Sequence, residues 1–342
     1  MRRDYNLFEK ISSFQALYQA STRAWKGRKN QKGLEALRFM CDRQSKVLAL
    51  RQALVNDTWQ PGELRAFVIR DPKLRLICAA PFEDRVVHHA LCHGIGPRIE
   101  RALSPHSHAC RVGFGTHSAL KSAQKVAKAY PFILRLDVAH YFETIPHDLL
   151  CERFHRLFKE PKLLRLIEII LRHPTPFGNS DYGLPIGSLT SQHAANLFLS
   201  ELDHTLKRSF TLGYVRYMDD LVIGVRTKTE AWAIHDFVHH HLEHLGLKLK
   251  PSATLLSPAH IGFNFLGFRL WPYRIRLDGT RRRRFIRKVI RIKTQQNKPS
   301  IHREDLDQYQ AQIQGLNAWA AIAHSRGFRA SVWARHAPFI DT

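Results

Sequence analysis

Three acidic residues carry the strongest chemical signal in this sequence: Asp137 and the adjacent pair Asp219 and Asp220. A bare Asp-Asp pair is more often a turn or a solvated acidic patch. Here it sits within YVRYMDDLVIGV, with Tyr214 and Val215 before it and Leu221, Val222 and Ile223 after it. Two apolar runs around a short polar break predict a β-hairpin with Met218 and Asp219 at its tip. Strand residues alternate between faces, so a turn is what lets a carboxylate be aimed at one point. Asp137 ends a third apolar run, FILRL. Three carboxylates brought together repel one another and take up protons unless cations neutralise them. Hard oxygen donors with room for phosphate oxygens suit Mg²⁺, and two such ions about 4 Å apart support in-line phosphoryl transfer. That chemistry needs no covalent nucleophile, and no Ser/His/Asp or Cys/His pattern competes with it.

The elements that must position these acids can be read from hydrophobic periodicity. Leu34, Leu37, Leu48, Leu50 and Leu54 recur among charges in a helical lead-in that Pro61-Gly62 closes. Residues 66 to 79 predict two short strands around an Asp71-Pro72 turn, and Glu83 to Leu103 a helix. After the Gly-rich RVGFGTH come a helix from Ser118 to Ala129 and a buried strand, FILRLDV. The segment GLPIGSLTSQHAANLFLSELDHTLK opens as a turn and predicts one helix of about 20 residues. Then follow the MDD hairpin, a helix from Lys228 to about His244, and a second hairpin in NFLGFRLWPYRIRL. From Arg281 the chain is basic and helical, with a break at Pro299 and a restart from His302 to Ala323. This order suits an α+β sheet domain with helices on one face.

Composition bounds the partners. Among 342 residues, 53 Lys and Arg stand against 29 Asp and Glu, a net charge of +24 spread along the chain. A body in so positive a field is expected to bind a polyanion. No apolar run is long enough for a spanning helix and no amphipathic anchor stands out, so the reading is of a cytoplasmic protein without a membrane partner. The five cysteines are odd in number and lack CxxC pairs, which argues for reduced thiols. His88, His89, Cys92 and His93, followed by His106, His108 and Cys110, raise the question of zinc; the spacing fits a packed helix with partnered histidines better.

The motifs resemble those of reverse transcriptases. RYMDD (216 to 220) is similar to that family's signature, LDVAHYF (136 to 142) to its first palm motif and GLPIGSLTSQ to its second. RLICAAPFEDRVVHHAL resembles a fingers segment and NFLGFRL a primer grip, so the likeness runs from about residue 66 to 275. It implies a right-hand polymerase fold: an N-terminal basic helical extension over 1–65, fingers over 66–130, a palm over 131–275 with a fingers insertion at about 150–182, and a helical thumb over 276–342. The 67 residues after position 275 leave room in this chain for a thumb and not for an RNase H or integrase domain.

The resemblance also implies roles. Asp137, Asp219 and Asp220 would be the catalytic metal ligands, with the Val138 carbonyl beside them, for two Mg²⁺ ions that Mn²⁺ can replace. Arg70 and Arg75 would hold the incoming dNTP triphosphate. Phe142 would stand against a ribose 2′-hydroxyl, and Ile186, Gly187 and Gln192 would line the nucleotide. Leu266 and Gly267 would grip the primer. Arg281, Arg282, Arg283, Arg284, Arg287 and Lys288 would meet the RNA/DNA primer–template duplex from the thumb, with Arg111 a further nucleic-acid contact. Lys248 and Lys250 are candidates for the acid that protonates pyrophosphate.

Leu184-Pro185-Ile186-Gly187 followed by Ser191-Gln192 departs from the family's usual Leu-Pro-Gln-Gly and Ser-Pro. Both departures resemble reverse transcriptases of diversity-generating retroelements, which copy a template RNA with errors at adenines. That likeness implies a structured template RNA, an accessory basic oligomeric protein, and a bacterial or phage origin. Bacterial anti-phage defence reverse transcriptases share part of these motifs, and a non-catalytic RNA-binding scaffold would share the charge.

Overall fold

The computed structural model describes residues 6–26, 33–70, 74–175, 181–296 and 303–336; the expected Asp71-Pro72 turn and Pro299 break lie outside them. The chain begins with α1 (Leu7–Ile11), α2 (Phe14–Trp25), α3 (Leu34–Cys41) and α4 (Arg43–Val55). Ser13 caps α2, its hydroxyl accepting from the Ala16 amide at 3.2 Å, one of the amides that the first turn leaves without a helical partner. Strands β1 (Arg65–Ile69) and β2 (Arg75–Ala79) pair antiparallel, with Ile69 opposite Arg75. Next are α5 (Phe82–Ala102), α6 (Thr116–Ala129), β3 (Phe132–Asp137), α7 (Tyr141–Thr144), α8 (His147–Leu157) and α9 (Pro161–Leu171). Proline opens α9, where its missing amide costs nothing.

The expected 20-residue helix is two: α10 (Leu189–Phe198) and α11 (Ser200–Ser209) meet at Leu199. At that joint the Ser200 hydroxyl donates to the Leu197 carbonyl at 2.7 Å. Both halves bury apolar faces, so the hydrophobic pattern runs on through the break. Strands β4 (Gly213–Tyr217) and β5 (Asp220–Val225) form the expected hairpin, and α12 spans Lys228–His244. After β6 (Leu255–Pro258), the expected second hairpin is a three-stranded antiparallel meander: β7 (Phe263–Phe265), β8 (Phe268–Trp271) and β9 (Arg274–Leu277). Pro272 and Tyr273 supply the extra turn. The chain ends with α13 (Gly279–Gln296), α14 (Arg303–Ala321) and α15 (Arg326–Arg335). Helices and antiparallel strands together make the α+β class that the sequence predicts.

The chain divides into two compact units, one of Met1–Val112, Asp137–Phe210 and His235–Pro251, the other of Gly113–Leu136, Thr211–Ile234 and Ser252–Thr342. In the first, α5 is the central helix, burying Val86, Val87, Ala90, Leu91, Ile95 and Ile99. The second holds a four-stranded sheet of order β4-β5-β3-β6 and the β7-β8-β9 sheet. Their core joins the small residues of α6, Ala119, Ala123 and Ala127, to Phe263, Phe265, Phe268 and the Phe285 and Val289 face of α13. Strands approach α6 so closely that a Cβ on Gly224 would stand 2.5 Å from Val126 Cγ1.

One buried carboxyl in the first unit makes stability depend on pH. Asp84, 4% exposed, accepts from the Gly62 amide at 2.8 Å and so ties the Pro61-Gly62 segment to α5. Burial raises its pKa to about 6; the Gly62 hydrogen bond opposes the shift, while Glu83 and Glu35 add to it. A carboxyl with a raised folded pKa contributes stability that is complete below its unfolded pKa and is lost as pH rises through about 6. Asp84→Asn keeps an acceptor for Gly62 without the charge. It is expected to match wild type at pH about 4 and to gain on the order of 2 kcal/mol at pH about 7.5, read from urea unfolding at both values.

Candidate active site

The hairpin that carries the acid pair is built to hold a strained tip. Register pairs Tyr217 with Asp220, leaving Met218 and Asp219 as a two-residue loop. Met218 has φ 59°, a left-handed conformation that costs a non-glycine residue about 1 kcal/mol. Arg216 offsets that strain. Its side chain is 0% exposed, and its Nη1 donates to the Met218 carbonyl at 3.0 Å, fixing the turn from beneath. Tyr217 shares a hydrogen bond of 3.3 Å with the Thr116 hydroxyl, so the end of β4 is tethered to α6 as well. Arg216→Leu removes the guanidinium. It is expected to lower the thermal midpoint by several degrees and to cost about 10²-fold in turnover, because the loop that aims the carboxylates would relax. Arg216→Lys, which can still donate, is expected to recover part of the turnover, read by steady-state kinetics and a melting curve.

Arg135, on β3, stands against the same site: its Nη2 donates to Asp220 Oδ1 at 3.2 Å, with both side chains mostly buried. A guanidinium thus neutralises part of the acid pair within the folded chain. Arg135 and Arg216 thus both touch the hairpin that carries the acid pair, and its motifs do not point to either of them. The available signal is an arginine inside each of two apolar runs, FILRL and YVRYM.

Asp137 is the last residue of β3, where the chain leaves the second unit for the first. Its carbonyl accepts from the Lys250 amide at 2.8 Å, and the Ala139 amide donates to the Lys248 carbonyl at 2.8 Å. These two bonds flank the Val138–Leu249 pair. In such a non-hydrogen-bonded pair the Val138 amide and carbonyl point away from Leu249, which keeps that carbonyl out of the ladder. Lys248, exposed, and Lys250, half-buried, are thereby set beside Asp137 and Val138.

The GLPIGSLTSQ segment is clamped within the first unit. The Leu184 amide donates to the Phe142 carbonyl at 2.6 Å and the Gly183 amide to the Ile145 carbonyl at 3.0 Å. On the far side of the loop, the Cys78 amide of β2 donates to the Ile186 carbonyl at 2.8 Å. Gly187 has φ +117°, and a Cβ there would stand 2.9 Å from Ile77 Cγ2 and 3.2 Å from the Cys78 carbonyl oxygen. His88 Nδ1 pairs with the Ser188 hydroxyl at 2.9 Å, and Cys92 Sγ with the Thr190 hydroxyl at 3.5 Å. Burial, helped by neighbouring His89 and His173, lowers the His88 pKa to about 4, so its ring is neutral. Burial also pushes the Cys92 thiol up to about 12, against the Thr190 hydrogen bond. His88 and Cys92 thus form a polar seam joining α5 to the start of α10. Gln192 Oε1 accepts from Cys110 at 3.5 Å.

Phe142 is half-buried against Tyr141, ring centroids 5.8 Å apart. Arg70, just after β1, and Arg75, the first residue of β2, are exposed. Arg111 is otherwise engaged: 6% of its side chain is exposed, and it bonds Glu100 and the Ser104 and Ser107 carbonyls, bracing its own loop. In the second unit Leu266, φ 50°, and Gly267, φ 78°, make the β7–β8 turn. Any Cβ on Gly267 would collide with the Arg281 side chain. Arg281 and Arg282 of α13 lie 5.3 and 4.8 Å from the Trp319 and Phe328 rings, while Arg283, Arg287 and Lys288 are exposed and Arg284 half-buried. Among the described residues no group of three His, Cys, Asp or Glu side chains is gathered as it stands to hold a metal ion. The donor chemistry of Asp219 and Asp220 nonetheless suits a hard cation, and Arg135 already supplies a positive partner to one of them.

A family model described as reverse transcriptase (RNA-dependent DNA polymerase) matches residues 70–270. Among curated proteins, the chain is 24% identical over 266 residues to Protein YkfC of Escherichia coli (strain K12), covering 65% of this chain and 70% of that protein. It is 22% identical to the putative COX1/OXI3 intron 1 protein of Saccharomyces cerevisiae, covering 70% and 34%, and 22% identical to the group II intron-encoded protein LtrA of Lactococcus lactis subsp. cremoris, covering 70% and 51%. The chain thus spans a third to a half of these two intron proteins. Among solved structures, telomerase from Candida albicans in complex with a TWJ fragment of telomeric RNA aligns with TM-score 0.49 at 10% identity, over 82% of this chain and 55% of that one. Apo telomerase from Candida tropicalis aligns with TM-score 0.49 at 12% identity, over 64% and 55%.

Proposed function

Because this chain belongs to the reverse transcriptase (RNA-dependent DNA polymerase) family, we propose that it copies a structured template RNA into cDNA in a diversity-generating retroelement, with errors concentrated at template adenines. Family membership carries the right-hand polymerase fold. On this reading residues 1–65 are a basic extension, 66–130 fingers, 131–275 palm with an insertion at about 150–182, and 276–342 thumb. The protein is cytoplasmic, encoded by a bacterium or phage, and works with an accessory basic oligomer. No helix among the described residues is long and apolar enough to cross a membrane.

The observation that carries the catalytic assignment is the two-residue turn that sets Asp219 and Asp220 at a hairpin tip, braced by Arg216. Asp137, Asp219, Asp220 and the Val138 carbonyl would hold two divalent cations, Mg²⁺ with Mn²⁺ as substitute. Bound there, the ions supply Lewis-acid stabilisation of the attacking and leaving oxygens. The chain's own side chains do the rest. Arg70 and Arg75 bind the triphosphate of the dNTP, and Phe142 excludes a ribose 2′-hydroxyl. Gly187 lets the backbone approach the nucleotide, with Gln192 on the helix beneath. Leu266 and Gly267 orient the primer end, and Arg281, Arg282, Arg283, Arg284, Arg287 and Lys288 hold the duplex. Lys248 or Lys250 supplies the proton that leaves with pyrophosphate. Arg111 is assigned to its loop.

Ile186 supports the retroelement assignment. A glutamine there could hydrogen-bond the nascent pair, and an aliphatic side chain cannot. Products made on a primed RNA template, sequenced by template base, are expected to show misincorporation mainly opposite adenine, and Ile186→Gln is expected to reduce it several-fold. Accurate synthesis by the wild type would favour a defence reverse transcriptase instead; an unchanged error spectrum in Ile186→Gln would remove that residue from the explanation.

A further inference from the structure

The β7–β9 sheet has a buried face and a solvent face, and the second carries an unusual set of side chains. Inward point Phe263, Phe265, Phe268, Leu270, Ile275 and Leu277, all buried in the core of the second unit. Alternation therefore puts Asn264, Arg269, Trp271, Arg274 and Arg276 on the other face. Register sets Arg269 directly opposite Arg276, with Asn264 on its other side, and Trp271 directly opposite Arg274. Like charges directly across a sheet destabilise it. Asn264, Arg274 and Arg276 are exposed, and among the described residues none of the three arginines is paired with a carboxylate. Among the described residues no hydrogen bond or ion pair within the fold engages the side chain of Arg274 or Arg276.

The same face ends in aromatics that are already held in place. Trp271 lies on Gly262, where a Cβ would stand 2.6 Å from the indole nitrogen, and the Arg269 guanidinium sits 5.3 Å from the ring centroid. Arg269 also donates to the Ile261 carbonyl at 3.1 Å. At the following turn Tyr273 is 81% exposed, with Lys128 Nζ 5.0 Å from its ring, and Gln124 of α6 donates to the Trp271 carbonyl at 3.3 Å. This corner is at the far end of β8 from the Leu266–Gly267 turn. It also adjoins the end of α6 near Val126, which packs on Gly213 and Gly224, the end of the β4–β5 hairpin away from Met218 and Asp219.

We propose that the solvent face of the β7–β9 sheet is a second nucleic-acid site that takes a single-stranded stretch of RNA, its phosphates on Arg269, Arg274 and Arg276 and its bases stacked on Trp271 and Tyr273. Arginines spaced along a strand track a backbone, and aromatic faces favour bases that are not paired, which selects a single strand over a duplex. The identification of the polyanion as RNA rests on the RNA-directed polymerase activity proposed for the chain. A segment of the template RNA outside the copied stretch, held at the end of the sheet remote from the acid pair, would remain bound while the template moves through the polymerase site.

The test uses the full chain preloaded with a short primer–template duplex, to which a fluorescein-labelled single-stranded RNA of about 12 nucleotides is added. The variant Tyr273→Ala/Arg274→Gln/Arg276→Gln changes only exposed residues, and a melting curve checks its fold. Binding by the wild type is expected to weaken at least tenfold in the variant at equal salt. The slope of log affinity against log salt is expected to fall by about 1.4, because two fewer phosphates are neutralised. Extension of the short primer–template is expected to stay within twofold. Unchanged affinity and slope in the variant, or no binding of the RNA to the loaded wild type, would overturn the proposal. Displacement of the RNA by polyglutamate at matched charge would also overturn it, in favour of an acidic protein. Failure of primer extension in the wild type would count against the polymerase reading alone, since the binding measurement needs no synthesis.

Discussion

Replacing Asp219 with alanine is expected to lower dNTP incorporation on a primed RNA template by roughly 10³-fold or more, on the order of 4 kcal/mol of transition-state stabilisation. The fold is expected to survive. Asp219 is a loop residue of the β4–β5 hairpin, and what holds that loop lies around it: the Tyr217–Asp220 pair, the Arg216 bond to the Met218 carbonyl, and the Tyr217–Thr116 bond. Removing one of two adjacent carboxylates also relieves repulsion. The thermal midpoint should therefore shift by no more than a few degrees, and affinity for the primer–template should change little. Incorporation measured under single-turnover conditions, with a melting curve and a binding titration on the same preparation, separates these effects. A variant that still extends primers within tenfold of wild type would remove Asp219 from the chemistry.

Gly187→Ala is expected to lower kcat/KM for the incoming dNTP by about 10²-fold and to destabilise the fold by about 1–3 kcal/mol. At φ +117° an L side chain is strained, and the new methyl would meet Ile77 Cγ2 at 2.9 Å and the Cys78 carbonyl oxygen at 3.2 Å. Ile77 can turn aside, but Cys78 oxygen is backbone and cannot. Relief requires β2 to move away, which breaks the 2.8 Å bond from the Cys78 amide to the Ile186 carbonyl and shifts the strand that begins with Arg75. The loss should therefore fall mainly on KM for the nucleotide. Gly315→Ala, inside α14 where nothing lies within 4 Å of an added Cβ and no proline follows, is the matched control. There alanine should stabilise by about 0.5–1 kcal/mol. Steady-state kinetics and urea unfolding of the two variants should move in opposite directions; equal small effects would mean that the Gly187 loop yields at no cost.

What could be read from the sequence was local. The β4–β5 hairpin and the bounds of α12 follow from apolar alternation and helical spacing within single short windows, and the placement of Asp219 at a turn follows from them. The division of α10 from α11 at Leu199 was hidden because both halves bury their apolar faces and the pattern runs through the break. The third strand, β9, was hidden because NFLGFRLWPYRIRL holds two turns, Leu266-Gly267 and Pro272-Tyr273, and a single hairpin accounts for only one of them. Arg135 and Arg216 escaped for a different reason. Each acts on an atom that becomes its neighbour only when strands pair or a turn closes, Asp220 for the first and the Met218 carbonyl for the second. The His88 and Cys92 cluster shows the converse. Its composition invited a metal, and partners about 100 residues away in the chain, Ser188 and Thr190, satisfy it instead.

Synthesis of DNA on an RNA template with carboxylate-held divalent ions is the activity on which the proposed function stands or falls. It can be measured as extension of a labelled DNA primer annealed to an RNA template, by the wild-type protein with dNTPs and Mg²⁺. Products are expected to lengthen to the template end, to vanish when the ions are chelated and to return when Mg²⁺ is restored. No extension on primed RNA with either Mg²⁺ or Mn²⁺, or extension that persists under chelation, would contradict the assignment.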